Sequence, residues 1–360
     1  MASPSGAPLP SSQASAPPPA SGDALEALGR YREALVAELQ SALAGREGPS
    51  YGLMRYHLGW EDEGGSAIEA RGGKLLRPAL CLLACEALGG DWRAALPAAA
   101  AIELLHNFTL IHDDVEDASP RRHGRPTLWK LYGEAQAINA GDGMFALAHV
   151  TLLRLAERGV PSERVLAAAR ALDEASLRLC AGQHLDLTYS TRDAITEREY
   201  LDMIEGKTAA LLAASCAMGA LLAGGDGATT GALYEFGRRL GLAFQVRDDV
   251  LGIWGDAAET GKPVGGDLIE GKKSYPVVVA LERSGARRAK LLGALADAAS
   301  GRDVAIARGL LEELGARDAC ERTAVEHGES AIASLAGVAL DADRRGELEA
   351  LARFAATRAS

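Results

Sequence analysis

Two aspartates one helical turn apart are the first residues in the sequence that could do chemistry. Asp113 and Asp117 belong to the run DDVED, which ends the apolar segment Ala101–Ile111. On a helix both carboxylates face the same side, and they repel each other unless a cation lies between them. Carboxylate oxygens suit Mg²⁺, which keeps several waters and takes other ligands from substrate phosphates. The motif therefore indicates a magnesium-diphosphate site.

A second acidic pair, Asp248 and Asp249, follows the apolar stretch Leu240–Phe244 in the segment FQVRDD. Acidic side chains deep in an apolar helix are costly without a metal or a cationic partner. Either cluster alone is equally well explained as an acidic helix end that meets solvent. Two such clusters together, with the cations described next, favour metal binding.

Several cationic segments accompany these motifs. Lys74 and Arg77 lie three residues apart in GGKLLRP, where backbone amides, an ammonium and a guanidinium are suited to holding a diphosphate. His106 precedes Asp113 by seven residues, two helical turns, so we expect it on the same face. The further cationic segments are Arg121-Arg122-His123, Lys207-Thr208, Lys262 and Lys272-Lys273. A magnesium-diphosphate site needs carboxylates for the metal and cations for the remaining phosphate oxygens.

The elements that position these residues are predicted to be helices almost throughout. Apolar residues recur with helical spacing, and Gly and Pro cluster between the helical stretches. The pattern predicts helices over 75–88, 94–117, 127–157, 162–188, 196–223, 229–253 and 275–283, with a first helix after Asp23 and shorter ones within 286–357. Val277–Val279 is the one strand-like run, and it is too short to imply a sheet.

The chain divides into a tail and one domain. Residues 1–22 carry no charge and are dominated by Pro, Ser and Ala. Such a segment cannot bury enough surface to offset its ordering entropy. We therefore predict a disordered tail at 1–22 and a single all-helical domain at 23–360, which makes the fold class all-α.

Composition excludes several classes of protein. The net charge of −11 over 360 residues argues against a general nucleic-acid binder, which would show a basic face. The five cysteines form no CxxC pair and suggest no disulfide framework, so a reducing cytoplasm is expected. The sequence shows no apolar run long enough for a transmembrane segment and no basic start with an apolar stretch typical of a secretory signal.

The ordered set of motifs resembles the trans-isoprenyl (polyprenyl) diphosphate synthase family, and most closely the geranylgeranyl diphosphate synthases of bacterial and archaeal type. The resemblance covers 70–280 and rests on GGKLLRP, IELLHNFTLIHDDVED, RRHGRPT, NAGDGMFALA, GQHLDL, GKTAAL, FQVRDD and TGKPVGGDLIEGKKSYP. It implies the isoprenoid synthase fold, a bundle of mostly antiparallel helices around a deep central cavity. It also implies a homodimer.

The resemblance assigns metal-binding and catalytic roles to the matching residues. Mg²⁺, about three ions in each active site, would be held by Asp113, Asp117 and Asp248, with Asp114 and Asp249 in support. The residues expected to act directly in catalysis are Asp113, Asp117, Lys207 and Asp248.

The resemblance also implies two substrate sites. Isopentenyl diphosphate would be bound by Lys74, Arg77 and His106. The allylic substrate, which is dimethylallyl, geranyl or farnesyl diphosphate, would be surrounded by Arg122, Lys207, Thr208, Gln245, Lys262 and Lys272.

Two residues depart from the family pattern. His123 stands where the family usually has a second Arg, so a fixed charge near isopentenyl diphosphate becomes a titratable one. Gly252 stands where many members have the last Asp of a second DDxxD motif. The second acidic motif is therefore shorter than the first.

The activity implied is that of a magnesium-dependent prenyltransferase. It would condense isopentenyl diphosphate with an allylic diphosphate and give a short-chain all-trans prenyl diphosphate. A terpene cyclase is disfavoured, because it has no second diphosphate substrate and does not need Lys74, Arg77 and His106. A non-catalytic regulatory subunit is disfavoured because it would be expected to lose the acidic motifs.

Product length is predicted from the residues just before the first motif. Phe108 lies five residues before Asp113, and Thr109 lies four before it, in a motif without insertion. This pattern resembles that of geranylgeranyl diphosphate synthases, and farnesyl or longer-chain synthases are the alternatives. Ideal helix geometry turns Phe108 away from Asp113 and places Thr109 nearer to it. Phe108 could accordingly be the floor of the cavity, its flank or a core residue.

Overall fold

A computed structural model describes residues 28–68, 73, 75–256 and 264–358 of the chain. The predicted tail at 1–22, the helix start at Asp23, and the two cations Lys74 and Lys262 lie outside the described residues. Predictions that concern them stay predictions.

Helices make up most of the described chain, which confirms the all-α prediction. The first half contains α1 (Arg32–Leu43), α2 (Pro49–His57), α3 (Leu76–Ala87), α4 (Leu96–Glu116), α5 (Leu128–Tyr132), α6 (Glu134–Leu153) and α7 (Ser162–Thr191). The second half contains α8 (Glu197–Ile204), α9 (Ala210–Ala223), α10 (Gly227–Trp254), α11 (Gly266–Ile269), α12 (Tyr275–Arg283), α13 (Arg288–Ala299), α14 (Val304–Glu313), α15 (Ala316–Ser334) and α16 (Ala342–Thr357). A π-helical turn, Glu205–Ala209, joins α8 to α9.

The core lies between helices that are apolar on nearly every side. Helix α4 packs against α6, while α9 packs against α3 and α10. The start of α4, LPAAAAIELL, is buried throughout, because alanine side chains let neighbouring helices approach closely. Leu104 and Leu105 have no exposed surface, and burial of each contributes about 1.5–3 kcal/mol. This packing fixes the direction of α4, whose last turn carries the first acidic motif.

One local prediction is confirmed, and one local feature was not predicted. The strand-like run Val277–Val279 lies inside α12, where a helix was predicted, and all three valines are buried, because tertiary packing outweighs their strand propensity. Strands Arg121–Arg122 and Arg125–Pro126 form a short antiparallel hairpin, which the helical spacing did not predict. Its turn residues, His123 and Gly124, have φ values of 50° and 78°. A two-residue turn with positive φ at both positions suits such a hairpin, and histidine is among the residues enriched there.

One stretch of the described chain is long and apolar enough to cross a membrane by length and composition. It spans Glu197–Ala223, and 72% of its apolar window is buried inside the protein. The core helix of a globular protein passes the same test, so this stretch is weak evidence for membrane insertion.

Candidate active site

The first acidic motif lies at the end of α4, as predicted. Asp113 is in the last turn, and Asp117 follows the helix with its N–H donating to the Asp113 carbonyl at 2.8 Å. The two carboxylates are therefore one turn apart. Burial raises the pKa of Asp113 to about 6, with Lys207 opposing this effect and neighbouring Asp117 adding to it. The pKa of Asp117 is also raised, chiefly by burial.

The protein alone does not fully stabilise the ionised forms of these two carboxylates, and a divalent cation would. Raised carboxyl pKa values mean that the ionised forms are under-compensated. Within the described residues, no group of three His, Cys, Asp or Glu side chains is arranged to hold a metal. Mg²⁺ is usually held by one or two carboxylates together with substrate phosphates and water.

Asp114 faces a different direction from its neighbours. It is only 2% exposed, and its Oδ1 accepts a hydrogen bond from Nε of Arg122 at 2.9 Å. Arg122 lies on the hairpin, so this buried ion pair ties the hairpin to the end of α4. Asp114 therefore positions Arg122. The supporting role of Asp114 in metal binding stays a prediction.

A close approach of two segments places Lys207 beside the first motif. A Cβ on Gly182 of α7 would lie 2.2 Å from the backbone nitrogen of Lys207, so only glycine permits this contact. The π-helical turn at Glu205–Ala209 then directs Lys207 Nζ to Asp186 Oδ2 at 2.6 Å. Burial lowers the pKa of Lys207, but the carboxylates of Asp113 and Asp186 outweigh it and raise that pKa. Lys207 therefore remains a cation at the acidic motif.

The second acidic motif lies on α10 and is held by a chain of hydrogen bonds. Thr208 Oγ1 donates to Gln245 Oε1 at 2.9 Å, and Gln245 Nε2 donates to Asp249 Oδ1 at 3.0 Å. Asp249 Oδ2 accepts from the hydroxyl of Tyr200 at 2.5 Å and from the backbone of Tyr275 at 3.0 Å. Burial raises the pKa of Asp249 to about 7. These contacts make Asp249 an anchor of the motif.

Asp248 has a different partner, which comes from the other end of the chain. The guanidinium of Arg358 forms an ion pair with Asp248 and lies 4.0 Å from the ring centroid of Phe244. Arg358 is 6% exposed. The sequence analysis missed Arg358, because no local pattern connects it to a residue 110 positions earlier.

A large cavity of about 870 Å³ opens between α1, α3, α4 and the hairpin. The predicted cations Arg77, His106, Arg122 and His123 all line it. Arg77 Nη1 lies 3.2 Å from His106 Nε2, and Arg77 Nε is buried without a hydrogen-bond partner. An orphaned guanidinium nitrogen in a cationic cavity suits an anionic ligand.

Two half-buried histidines in this cavity have lowered pKa values. Burial lowers the pKa of His106 well below its ordinary value, and adjacent Arg77 adds to the effect. Burial also lowers the pKa of His57 to about 3. His57 was missed by the sequence analysis, because a lone histidine in the segment MRYHLGW gives no signal of a shared cavity.

A smaller cavity of about 150 Å³ adjoins the large one and contains Asp113, Lys207 and Thr208. Arg77, His106 and Leu110 line both cavities. Thr109 also lines the small cavity, together with Leu179 and Leu211. The lining of the small cavity thus combines one acid, two basic side chains in Arg77 and Lys207, and several leucines.

Phe108 is placed away from these cavities. Its ring packs edge-on against Phe145 of α6, with centroids 5.2 Å apart, and also against His112. It does not appear among the described residues that line either cavity. Of the three alternatives for Phe108, which are floor, flank and core, this packing supports the core. The role of Thr109 in product length stays a prediction.

Two polar residues of α7 belong to the site and were missed. Gln183 lines the small cavity, donates to Glu116 Oε2 at 2.7 Å and has a buried Oε1 without a partner. Asp186 forms an ion pair with Lys207. The segment GQHLDL carried a signal, since Gln183 and Asp186 are three residues apart and face the same side of a helix.

Lys272 was predicted as a cation of the site, and its Nζ pairs with Glu270 Oε2 at 2.6 Å.

Comparison with known proteins gives a consistent result over most of the chain. A polyprenyl synthetase family model matches residues 63–312. The (2E,6E)-farnesyl diphosphate synthase of Mycobacterium tuberculosis strain H37Rv is 42% identical over 307 residues, which cover 84% of each chain. The geranylgeranyl diphosphate synthase of the same strain is 42% identical over 319 residues, covering 88% of this chain and 89% of the relative.

Solved structures share the fold. A polyprenyl synthetase from Streptomyces coelicolor A3(2) has a TM-score of 0.86 at 39% identity, over 92% of this chain and 99% of that chain. A geranylgeranyl pyrophosphate synthase from Corynebacterium glutamicum, complexed with isoprenyl diphosphate and magnesium, has a TM-score of 0.78 at 28% identity, over 93% and 99% of the two chains. These matches confirm the isoprenoid synthase fold. The chain belongs to the polyprenyl synthetase family.

Proposed function

We propose that this protein condenses isopentenyl diphosphate with an allylic diphosphate to give a short-chain all-trans prenyl diphosphate. The observation that carries this proposal is the pair of adjoining cavities. The small cavity has Asp113 and Lys207 for a metal-bound diphosphate, and the large cavity has several arginines in its lining, among them Arg77 and Arg122. Arg77 and His106 line both, so a substrate in each would meet at that boundary. A single-diphosphate enzyme has no need of the second cavity.

Asp113, Asp117 and Asp248 are the residues proposed to hold Mg²⁺, with about three ions in each site. Bound Mg²⁺ supplies charge neutralisation of the departing diphosphate. The solved complex from C. glutamicum contains magnesium and isoprenyl diphosphate, which supports a divalent metal. Asp114 and Asp249 act through Arg122 and through the hydrogen-bonded chain to Thr208.

The chain itself orients the substrates and excludes water. Lys207 and Lys272, with Lys262, would contact the allylic diphosphate, while Arg77 and His106, with Lys74, would hold isopentenyl diphosphate. The allylic C1–O bond breaks, and the isopentenyl double bond attacks C1 to form the new C–C bond. A proton then leaves the isopentenyl carbon skeleton for the released diphosphate. The apolar cavity wall protects the allylic cation from water.

A product assay tests this function. Purified protein would be incubated with Mg²⁺, isopentenyl diphosphate and dimethylallyl diphosphate, and the products separated by chain length after dephosphorylation. Linear prenyl alcohols support the proposal. Cyclic hydrocarbons would show a terpene cyclase instead, and no turnover without a partner protein would show a regulatory subunit.

Within the short-chain class, we propose geranylgeranyl diphosphate as the product. Thr109 is small and lines the allylic cavity, so it leaves space for a tail where an aromatic side chain would close it. Farnesyl diphosphate is the second candidate, because the farnesyl and geranylgeranyl diphosphate synthases of M. tuberculosis are both 42% identical to this chain.

Substitutions in the small cavity should change product length. Thr109→Phe should shorten the main product by at least one isoprene unit, because the new ring enters the cavity. Leu179→Ala should lengthen it, because truncation removes apolar volume from the same wall. Phe108→Ala is the matched control on α4 and should leave the product unchanged, because Phe108 packs against Phe145. If Phe108→Ala changed the product length while Thr109→Phe and Leu179→Ala did not, the floor of the cavity would lie at α6 instead.

We also propose a homodimer formed through α6 and α7. Large apolar side chains are exposed on both helices, among them Leu153 at 58%, Leu166 at 69% and Leu177 at 72%. Leu166 and Leu177 are eleven residues apart, close to three turns, and share one face. Contiguous exposed apolar surface marks an interaction site, and a second copy of this chain carries the same surface.

Sedimentation velocity tests the dimer. Leu177→Glu should shift the protein toward monomer, because a charge would be buried in an apolar interface. Ile306→Glu on α14 replaces a residue that is 53% exposed and should leave the dimer intact. A wild-type protein that sediments as a monomer at micromolar concentration would contradict the proposal.

We place the reaction in the cytoplasm, without a nucleic-acid partner. The net charge is −11, and all five cysteines are free thiols. The free thiols support a reducing compartment, and the acidic net charge argues against a nucleic-acid partner.

A further inference from the structure

The two acidic motifs are unequal in their spacing. In the first motif, Asp113 has a second carboxylate four residues later at Asp117. In the second motif, the residue four positions after Asp248 is Gly252. Residues four apart on a helix are neighbours on one face. The face of α10 that carries Asp248 therefore lacks the second oxygen donor that α4 has.

The space beside Gly252 is filled by a carboxylate from another element. A Cβ built on Gly252 would lie 2.1 Å from Oδ2 and 2.5 Å from Cγ of Asp267. Those distances are shorter than any real contact, so the Asp267 carboxyl group occupies the volume that a side chain at 252 would enter. Asp267 is 8% exposed and lies on α11.

Asp267 is held in this place by the turn around it. Gly265 begins α11 with a φ of 76°, and the Lys272 backbone donates to the Asp267 carbonyl at 2.9 Å. The same turn thus fixes Asp267 and the predicted cation Lys272. Helix α11 packs on α10, which carries the second motif.

The charge of Asp267 acts on Lys272 and on Asp249 of the second acidic motif. Burial lowers the pKa of Lys272, but Glu270 and then Asp267 and Asp117 raise it above its ordinary value. Burial raises the pKa of Asp249, and Asp267 adds to that increase. Asp267 therefore lies close enough to Lys272 and Asp249 to influence their charges.

We propose that Asp267 supplies, from α11, the carboxylate that the second motif lacks at position 252, and that it helps Asp248 to hold the divalent cation. This rests on the proposed function, because it needs a metal-diphosphate at the second motif. Gly252 leaves the space open, and Asp267 fills it with the carboxylate that an aspartate at position 252 would otherwise provide. Gly at 252 is required as long as Asp267 keeps this place, because the two side chains cannot coexist.

The test exchanges the two residues and measures metal binding without turnover. Protein melting would be followed during Mg²⁺ titration with inorganic pyrophosphate present. Asp267→Asn should raise the Mg²⁺ concentration for half-maximal stabilisation about 10-fold or more. Gly252→Asp alone should weaken binding and lower the melting temperature, because its side chain collides with Asp267. The double variant Gly252→Asp/Asp267→Ala should restore the Mg²⁺ midpoint to within about 3-fold of wild type.

Two references make the result decisive. Asp297→Asn removes an exposed acid that pairs with Arg302 and should not move the Mg²⁺ midpoint. Asp113→Asn should abolish the stabilisation. If it does not, the proposed metal site itself is wrong. If Asp113→Asn abolishes it while Asp267→Asn matches wild type, or if the double variant binds no better than Asp267→Ala, the role of Asp267 is overturned. Should Asp267→Asn fail to fold, the double variant decides alone.

Discussion

Replacing Asp113 or Asp117 with Ala is expected to lower kcat by about 10³-fold or more. The two carboxylates share one side of the end of α4, where we propose that they hold Mg²⁺ against the allylic diphosphate. Loss of a metal ligand removes several kcal/mol of stabilisation of the departing diphosphate in the transition state, and about 4 kcal/mol corresponds to 10³-fold. Steady-state kinetics with saturating Mg²⁺ would measure the loss.

The same substitution should not unfold the protein. Because burial raises the pKa of Asp113 to about 6, its ionised form destabilises the metal-free fold at pH 8, and this penalty disappears below its ordinary pKa. Asp113→Asn should therefore melt, without metal, at the wild-type temperature or above it. Asp318→Ala, an acid on the surface of α15, is the matched control for kcat. A folded Asp113→Ala variant with near-normal kcat would refute the metal assignment.

Arg77→Ala is expected to raise the KM for isopentenyl diphosphate by about 10- to 100-fold, with a smaller change in the KM for the allylic substrate. Arg77 lines the cationic cavity beside His106, and its Nε has no partner in the described protein. A hydrogen bond to a charged group contributes about 1.5–3 kcal/mol. Initial rates measured while each substrate is varied in turn would separate the two KM values.

Arg77 is half-buried with its Nε enclosed, so its replacement needs two comparisons. Arg77→Lys keeps the charge and should recover part of the affinity, although a single ammonium cannot reproduce the planar fork of a guanidinium. Arg170→Ala removes an arginine whose side chain is 81% exposed and should leave both KM values unchanged. If only the allylic KM responded to Arg77→Ala, the two substrate sites would be assigned the wrong way round.

The parts of this protein that sequence predicted well are those governed by local geometry. Helical spacing located α4, and the four-residue separation of Asp113 and Asp117 placed their carboxylates on one side of its end. The cluster of Arg77 and His106 also followed from motifs, although their spacing along the chain did not reveal that they contact each other. Local rules of this kind need only the helical repeat.

The remaining features depend on contacts between distant segments. Arg358 reaches Asp248 from the end of the chain, and Asp186 meets Lys207 only because Gly182 lets the π-helical turn approach α7. Asp267 and Gly252 lie on different helices, and only the folded chain brings the Asp267 carboxyl group into the space that a side chain at position 252 would occupy.

The central claim is that an allylic diphosphate lies between the two acidic motifs while isopentenyl diphosphate lies in the adjoining cationic cavity. A crystal structure with Mg²⁺, isopentenyl diphosphate and an unreactive allylic thiolodiphosphate tests it most directly. We expect metal ions on Asp113, Asp117 and Asp248, and the isopentenyl diphosphate on Arg77 and His106. Metal ions bound away from both motifs, or an allylic diphosphate seated on Arg77 with the small cavity unused, would contradict the claim.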